Sequence, residues 1–351
     1  MPDAIHISEK DLHTQSVDDY VAMQQFLRRD VGPIADQPWL IRVIYANWFY
    51  LAVCSMIGGL VGWAIVEPWI DDNVPLEDQL AAAIFMFPTA AATIGLFLGA
   101  AEGIFCRNLW RAAKCGIVGL GIGFVGGIIA LFPVGIVFSA GKALAETVLM
   151  EGGVFGLGLL IFMMGRAAAW SIVAIPAGMG QGIALRERKV ILNGVIGGVI
   201  GGLIGGLLFD PISLVLTSED GQATYSRAIG LASVGLFIGL FVGLVEGWTK
   251  TAWLRMVKGP LAGKQFILFK DTTVLGSSPK ADVYLFKDDA IEPRHAVITN
   301  RGGRFEIEDC GTPDGTYVNG IPIKQSVLRD GDQVVLGKTV LEFAVTEADS
   351  K

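Results

Sequence analysis

Six segments of this chain are apolar over the roughly 20 residues that a helix needs to cross the hydrocarbon core of a bilayer. They run Ile41–Val66, Leu80–Phe105, Cys115–Phe138, Phe162–Ile183, Val190–Phe209 and Arg227–Trp248. The composition agrees: 52% of the 351 residues are hydrophobic and only 17% are charged, where a soluble domain carries roughly a quarter. A net charge of −7 argues against nucleic acid as a partner. Cys54, Cys106, Cys115 and Cys310 are scattered without a CxxC, so neither a disulfide framework nor a metal site is expected. Met1–Lys10 lacks the basic and apolar regions of a cleaved signal peptide.

The connectors alternate in charge. Glu67–Gln79 carries Glu67, Asp71, Asp72, Glu77 and Asp78 with no base, whereas Cys106–Lys114 carries Arg107, Arg111 and Lys114 with no acid. Ser139–Gly152 is weakly acidic, Ala184–Lys189 is basic, Asp210–Ser226 is acidic, and Lys250, Arg255 and Lys258 follow the last span. Lys and Arg mark cytoplasmic loops. The expectation is therefore an integral protein of a bacterial inner (plasma) membrane, with both termini cytoplasmic and lipid as its surroundings. Residues 1–40 form a cytoplasmic segment and 41–250 the six-span domain. Within the first, Val17, Tyr20, Met23, Phe26 and Leu27 recur at helical spacing, which predicts an amphipathic helix over Ser16–Asp30 that lies on the membrane or else binds a partner.

The spans repeat. Gly95-Leu-Phe-Leu-Gly99-Ala-Ala-Glu102-Gly103 returns as Gly239-Leu-Phe-Val-Gly243-Leu-Val-Glu246-Gly247 and, more weakly, in Ala174–Ile183. Gly58-Gly59-Leu-Val-Gly62 leading to Glu67-Pro68 returns as Gly201-Gly202-Leu-Ile-Gly205 leading to Asp210-Pro211, with a shortened version at Gly126–Pro133. The expected fold is three tandem glycine-rich helical hairpins. Glycines four apart, at Gly194 to Gly206, Gly235 to Gly247 and Gly119 to Gly127, share one helix face and suit close helix packing, or else the lining of a path.

Polar residues inside spans are functional candidates. Glu102, Gln181 and Glu246 occupy equivalent positions near the cytoplasmic ends. They form either a polar ring or headgroup-level pairs of Glu102 with Arg107 and Glu246 with Lys250. Arg166 lies about one turn inside the outer boundary and is placed to snorkel. Pro88 and Pro176 hint at helix breaks. Gly121-Ile-Gly123-Phe-Val-Gly126 matches a dinucleotide fingerprint but sits in mid-span, away from the strand and solvated helix start that the fingerprint needs.

After Lys258 the pattern becomes short strands with turn signals. Strands are predicted at Gln265–Phe269, Thr273–Leu275, Asp282–Leu285, Ala296–Thr299, Arg304–Glu308, Thr316–Val318, Gln333–Leu336 and Val340–Ala344. Turns are expected at Arg301–Gly303, Asn319-Gly320 and Asp330–Asp332. The run Gly259–Phe266, Gly276, Asp282, Arg294-His295-Ala296, Asp314-Gly315-Thr316-Tyr-Val-Asn319-Gly320, Gly331-Asp332 and Leu336-Gly337 resembles a forkhead-associated (FHA) domain. The likeness covers Val257 to about Val345, within a cytoplasmic domain at 255–346.

The resemblance implies a two-sheet sandwich whose loops read phosphothreonine peptides. It implies a peptide-binding face of Ser277, Glu292, Pro293, Arg294, Pro313, Asp314 and Asn319, with Gly276, His295 and Gly315 structural. No catalytic residue, cofactor or metal is implied. The face departs from the family: Ser277 replaces its phosphate-binding arginine, Glu292 its serine and Asp314 its asparagine. Two carboxylates beside a phosphate of about −1.5 to −2 charges repel it, while Arg294, Lys280 and Arg301 offer compensation away from the family positions. The expected function is that of a membrane-anchored adaptor, not an enzyme, that binds a protein or peptide partner with lost or altered phosphothreonine dependence. The alternatives are a phosphothreonine reader downstream of a Ser/Thr kinase, and a channel or transporter regulated by the FHA-like domain.

Overall fold

The computed structural model describes residues 17, 38–71, 73–74, 80–150, 155–216 and 224–346. The amphipathic helix expected over Ser16–Asp30 lies, apart from Val17, outside the described residues. Two compact units divide the chain, one spanning Ile44–Thr249 and one holding everything from Lys250 onward together with the described residues before Ile44.

The first unit is helical. Its helices, which follow a short α1 (Trp39–Ile44) that falls to the other unit up to Val43, are α2 (Asn47–Val66), α3 (Leu80–Phe105), α4 (Leu109–Met150), α5 (Phe155–Leu185), α6 (Arg188–Leu216) and α7 (Thr224–Thr249). Among the described residues, six helices are long and apolar enough to cross a membrane. The first expected span is divided, because Ala46 adopts an extended conformation between α1 and α2. The third is longer than expected: α4 runs 42 residues, roughly 60 Å at about 1.5 Å per residue. Ser139–Gly152, read as a connector, is helical through Met150, because Ala143–Met150 is rich in good helix formers. Pro88 and Pro176 break nothing and lie inside α3 and α5.

Each of these helices packs on its neighbours in the chain, and α7 closes on α2, so the six form a ring. Glycine allows the close approach. A Cβ at Gly202 would lie 2.8 Å from the Ser171 Cα and 2.9 Å from the Ala174 Cβ of α5, and one at Gly206 2.9 Å from the Ala167 Cα. On α7, side chains at Gly235, Gly239 and Gly243 would collide with backbone of Ser55, Leu51 and Trp48 on α2. Gly119, Gly123 and Gly127 of α4 face backbone of Gly95, Ala91 and Pro88 in the same way. Packing thus accounts for all three glycine stripes except Gly247, whose Cβ would meet nothing.

Two connectors share one geometry. Arg107 (φ 52°) and Arg186 (φ 59°) take left-handed conformations at the ends of α3 and α5. The Asn108 N–H then donates to Gly103 O (2.7 Å) and the Glu187 N–H to Gly182 O (3.0 Å), capping the last turns. Asn108 also starts α4, its Oδ1 accepting the Arg111 N–H at 2.9 Å.

The second unit is a sandwich of two sheets. Its strands are β1 (Ala252–Lys258), β2 (Gln265–Ile267), β3 (Thr272–Gly276), β4 (Val283–Tyr284), β5 (Ala296–Arg301), β6 (Arg304–Asp309), β7 (Thr316–Val318), β8 (Ile321–Ile323), β9 (Gln325–Val327), β10 (Gln333–Leu336) and β11 (Thr339–Val345). One sheet has the order β2-β1-β11-β10-β7-β8 and the other β4-β3-β5-β6-β9. β1, β8 and β9 were not among the expected strands, and β1 begins three residues before the expected boundary at 255. Ala252, Leu254 and Met256 of β1 are buried and alternate with Trp253, Arg255 and Val257, the period of a half-buried strand. Phe305 and Phe343 meet across the core with ring centroids 5.3 Å apart. Each such buried side chain contributes about 1.5–3 kcal/mol. Two-residue turns close the hairpins at Gly302-Gly303 and Asn319-Gly320, where all four residues have positive φ, as type I′ turns require.

Candidate functional site

Three loops of the sandwich converge around His295. Gly276 ends β3 where a Cβ would collide with the Pro293 carbonyl. That contact sets the β3–β4 loop against the β4–β5 loop: the Ser277 N–H donates to Glu292 O (2.9 Å) and the Ser278 N–H to Pro293 O (3.4 Å). His295 is fully buried. Its Nδ1 accepts the Glu292 N–H at 3.2 Å, which assigns the proton to Nε2. Nε2–H then donates to Gly315 O (3.1 Å), with Thr312 Oγ1 at 3.2 Å. One imidazole thus ties the β4–β5 loop to the β6–β7 loop.

The β6–β7 loop is built by Asp309, which sequence reasoning missed. Its Oδ2 accepts the N–H groups of Gly311 (2.8 Å) and Thr312 (3.1 Å), and its Oδ1 the hydroxyls of Thr312 (2.9 Å) and Thr316 (2.7 Å). Burial alone would raise the Asp309 carboxyl. The hydrogen bonds, led by those from the Thr316 and Thr312 side chains, outweigh it and hold the group below its ordinary value. The available signal was Asp309-Cys-Gly311-Thr312, an Asx-turn pattern. Beyond it the Gly315 N–H returns to Thr312 O at 3.2 Å, a turn with Pro313 in the position whose φ proline pre-sets.

The scaffold brings Ser277, Glu292, Pro293 and Arg294 together with Pro313 and Asp314. Ser277 is half-buried and the other five are exposed. Asn319 does not join them. It lies past the far end of β7, about 13 Å along an extended chain from Gly315. Its amide is engaged there: Oδ1 accepts the Gln333 N–H (2.9 Å) and Nδ2 donates to Asp332 (2.8 Å).

Among the polar positions of the helical unit, the structure brings Glu102 and Gln181 together at 3.3 Å. Glu102 pairs with Arg111 at 2.7 Å rather than with Arg107, because the left-handed Arg107 ends the helix. Glu246 is buried. Lys250 donates to Gln265 (3.0 Å) and lies 4.0 Å over the Trp253 ring. Arg166 does not snorkel: it pairs with Asp210 at 2.9 Å, within 4.9–5.8 Å of the ring centroids of Phe138, Phe162 and Phe209.

Residues 273–337 match the FHA domain family. An oxoglutarate dehydrogenase inhibitor of Corynebacterium jeikeium is 41% identical over 100 residues, which are 28% of this chain and 69% of that protein. The chain belongs to the FHA family. The glycogen accumulation regulator GarA of Mycolicibacterium smegmatis is 42% identical over 100 residues, 28% of this chain and 63% of GarA. The chain therefore spans about two thirds of the length of these FHA relatives. Among solved structures, the FHA domain of CT664 from Chlamydia trachomatis is 31% identical, with a TM-score of 0.26 over 28% of this chain and 99% of that one. An FHA domain is a protein-interaction module of the phosphothreonine-recognising kind, here at the C-terminal end of the chain.

Proposed function

We propose that this chain is a membrane-anchored adaptor that presents its FHA domain to the cytoplasm of a bacterial cell and binds a protein or peptide partner with lost or altered phosphothreonine dependence. The observation that carries the reading is the donor inventory of the loop face. The Ser277 and Ser278 amides are spent on the β4–β5 loop, the Thr312 hydroxyl on Asp309, and Glu292 and Asp314 stand exposed beside them. A phosphate needs charged donors. Each carboxylate at about 4 Å would instead repel a unit charge by about 1 kcal/mol in water and 4 kcal/mol near a protein surface. Catalysis is not part of the proposal, since both ring nitrogens of His295 are taken up in holding loops.

Anchoring is supported by the six apolar helices, and the orientation by the basic connectors that flank α3–α4 and α5–α6. The shared left-handed geometry of those two connectors and the matching glycine stripes support a bundle of three hairpin repeats. Relatives named as an enzyme inhibitor and an accumulation regulator fit a domain that acts by binding. Calorimetry on a Lys250–Lys351 fragment, with one degenerate peptide library in phosphothreonine and unmodified forms, tests the reading. Equal affinities are expected. Micromolar binding that requires the phosphate would instead assign Arg294 and Lys280, both exposed, to a rearranged phosphate site.

A further inference from the structure

The helical unit holds a cavity of about 570 Å³, within the range of roughly 300–1,000 Å³ that takes one small ligand. All six helices of the ring line it: Trp63 comes from α2, Phe87 from α3, Val134 from α4, Trp170 from α5, Phe209 from α6 and Leu231 from α7. Phe87, Arg166 and Leu231 precede Glu102, Gln181 and Glu246 by the same number of residues. All three line the cavity, so matching positions of α3, α5 and α7 converge on it. The floor is closed, since the next turns along these three helices (Ala91, Ile94, Ala174, Val234 and Ile238) are at most 1% exposed. The cavity is blind at that end.

Rings dominate the lining. Six of the eighteen described lining residues are Phe or Trp, against 9% aromatic residues in the whole chain. These rings touch one another. Phe87 meets Trp170 with centroids 5.1 Å apart, Trp170 stacks on Phe209 at 6.4 Å, and Phe138 meets Phe162 at 5.6 Å. The Arg166 guanidinium joins the two groups, 5.3 Å from the Phe209 centroid and 5.8 and 4.9 Å from those of Phe138 and Phe162. The cations of the lining are committed: Arg227 pairs with Glu67 at 2.6 Å and Arg166 with Asp210 at 2.9 Å, and Lys142 is engaged as well. An ionised ligand would lose its water here and find only charges that already have partners. An uncharged ring gains face and edge contacts that a hydrocarbon chain cannot make.

We propose that this cavity is a binding site for one uncharged aromatic molecule, its rings set against the Phe87–Trp170–Phe209 array and the Phe138–Phe162 pair. Trp63 and Trp170 report occupancy, since bromine quenches indole fluorescence on contact. The full chain in a non-ionic detergent is titrated with three probes. Dibromobiphenyl is uncharged and ringed, bromobiphenyl carboxylate keeps the rings and adds a charge, and methyl dibromostearate is uncharged without a ring. Saturable quenching is expected for dibromobiphenyl, with affinity weaker by roughly tenfold or more for the carboxylate and for the ester. Partition into the micelle alone gives quenching that does not saturate. Phe87→Leu keeps the wall apolar but removes one ring, and should weaken dibromobiphenyl about fivefold while leaving the ester unchanged. Gly135→Leu extends a side chain from a lining position where a Cβ meets nothing within 4 Å, and should abolish the saturable component. Purely unsaturable quenching by dibromobiphenyl, or binding of the carboxylate or the ester as tight as that of dibromobiphenyl, would overturn the proposal. Full binding by folded Gly135→Leu or folded Phe87→Leu would overturn it too. Should neither variant fold, the three probes on the wild-type chain decide alone.

Discussion

Asp309→Ala should destabilise the FHA domain by about 3 kcal/mol. The carboxylate accepts four hydrogen bonds, and bonds to a charged acceptor contribute about 1.5–3 kcal/mol each when water cannot replace them. Water can replace two or three of these, since Gly311 is exposed and Thr312 half-buried. It cannot reach Thr316, which is fully buried, so that hydroxyl would be orphaned at a cost of about 1–3 kcal/mol. The freed loop would also loosen the grip of His295 on Gly315. In a domain of this size 3 kcal/mol lowers the melting midpoint by roughly 12–24 °C, measurable by circular dichroism on the Lys250–Lys351 fragment. The effect has a pH signature. The folded carboxyl titrates below its unfolded value of about 3.9, so its contribution is present above that pH and is lost as the pH falls through the folded value. Asp309→Asn should flatten the stability profile below about pH 4 relative to wild type. A loss under about 1 kcal/mol for Asp309→Ala, with an unchanged acid limb for Asp309→Asn, would show that the loop is held by something else.

Three further outcomes are expected. Gly202→Leu and Gly243→Leu should each lower the thermal stability of the full chain in detergent by several degrees, because the new side chains meet backbone on α5 and α2; unchanged melting in both would refute the packing role of these faces. In a cysteine-free background, single cysteines at Asn73 and Gln222 should react with an impermeant thiol reagent on intact cells and one at the exposed Lys114 should not, whereas labelling confined to Lys114 would invert the topology. The triple variant Ser277→Arg, Glu292→Ser, Asp314→Asn should gain at least tenfold preference for phosphothreonine peptides over wild type by calorimetry, with Pro293 and Pro313 limiting the gain because each lacks a backbone donor. No gain would mean that the loops, rather than the charges, decide.

Local pattern made much of this fold legible. Leu80–Phe105 coincides with α3 to the residue, and Thr316–Val318 and Gln333–Leu336 coincide with β7 and β10, because hydrophobic period and turn residues act within a few positions. Errors came where distance in sequence separates partners. Arg166 was read alone because Asp210 is 44 residues away, and the two meet only when α5 packs on α6. Glu102 was assigned to Arg107 by helical spacing, but the chain reverses there and delivers Arg111 instead. β1 was hidden because Trp253, Arg255 and Lys258 read as the basic flank of a span, while its pairing partner β11 is some ninety residues on. At the loop face the residues carried by resemblance do converge around His295, whereas Asp309, which holds the β6–β7 loop, belongs to no motif that was used. Asn319 was misplaced because a motif is read as a string, and β7 carries its last residue away from its first.

The closure of the ring by α2 and α7 has a consequence in time. These two helices are separated by roughly 160 residues of chain. At about 5–20 residues per second, α2 waits on the order of ten to thirty seconds for its partner during synthesis. In that interval the backbone at Leu51 and Ser55, which the glycines of α7 later cover, faces whatever surrounds the nascent chain. Five of the six neighbouring helix contacts can form as each helix emerges, and the last element made is the one that seals the first. A chain interrupted after Leu216 would therefore be left as an open arc, and a quality-control protease would find its exposed edge at the N-terminal end of the bundle.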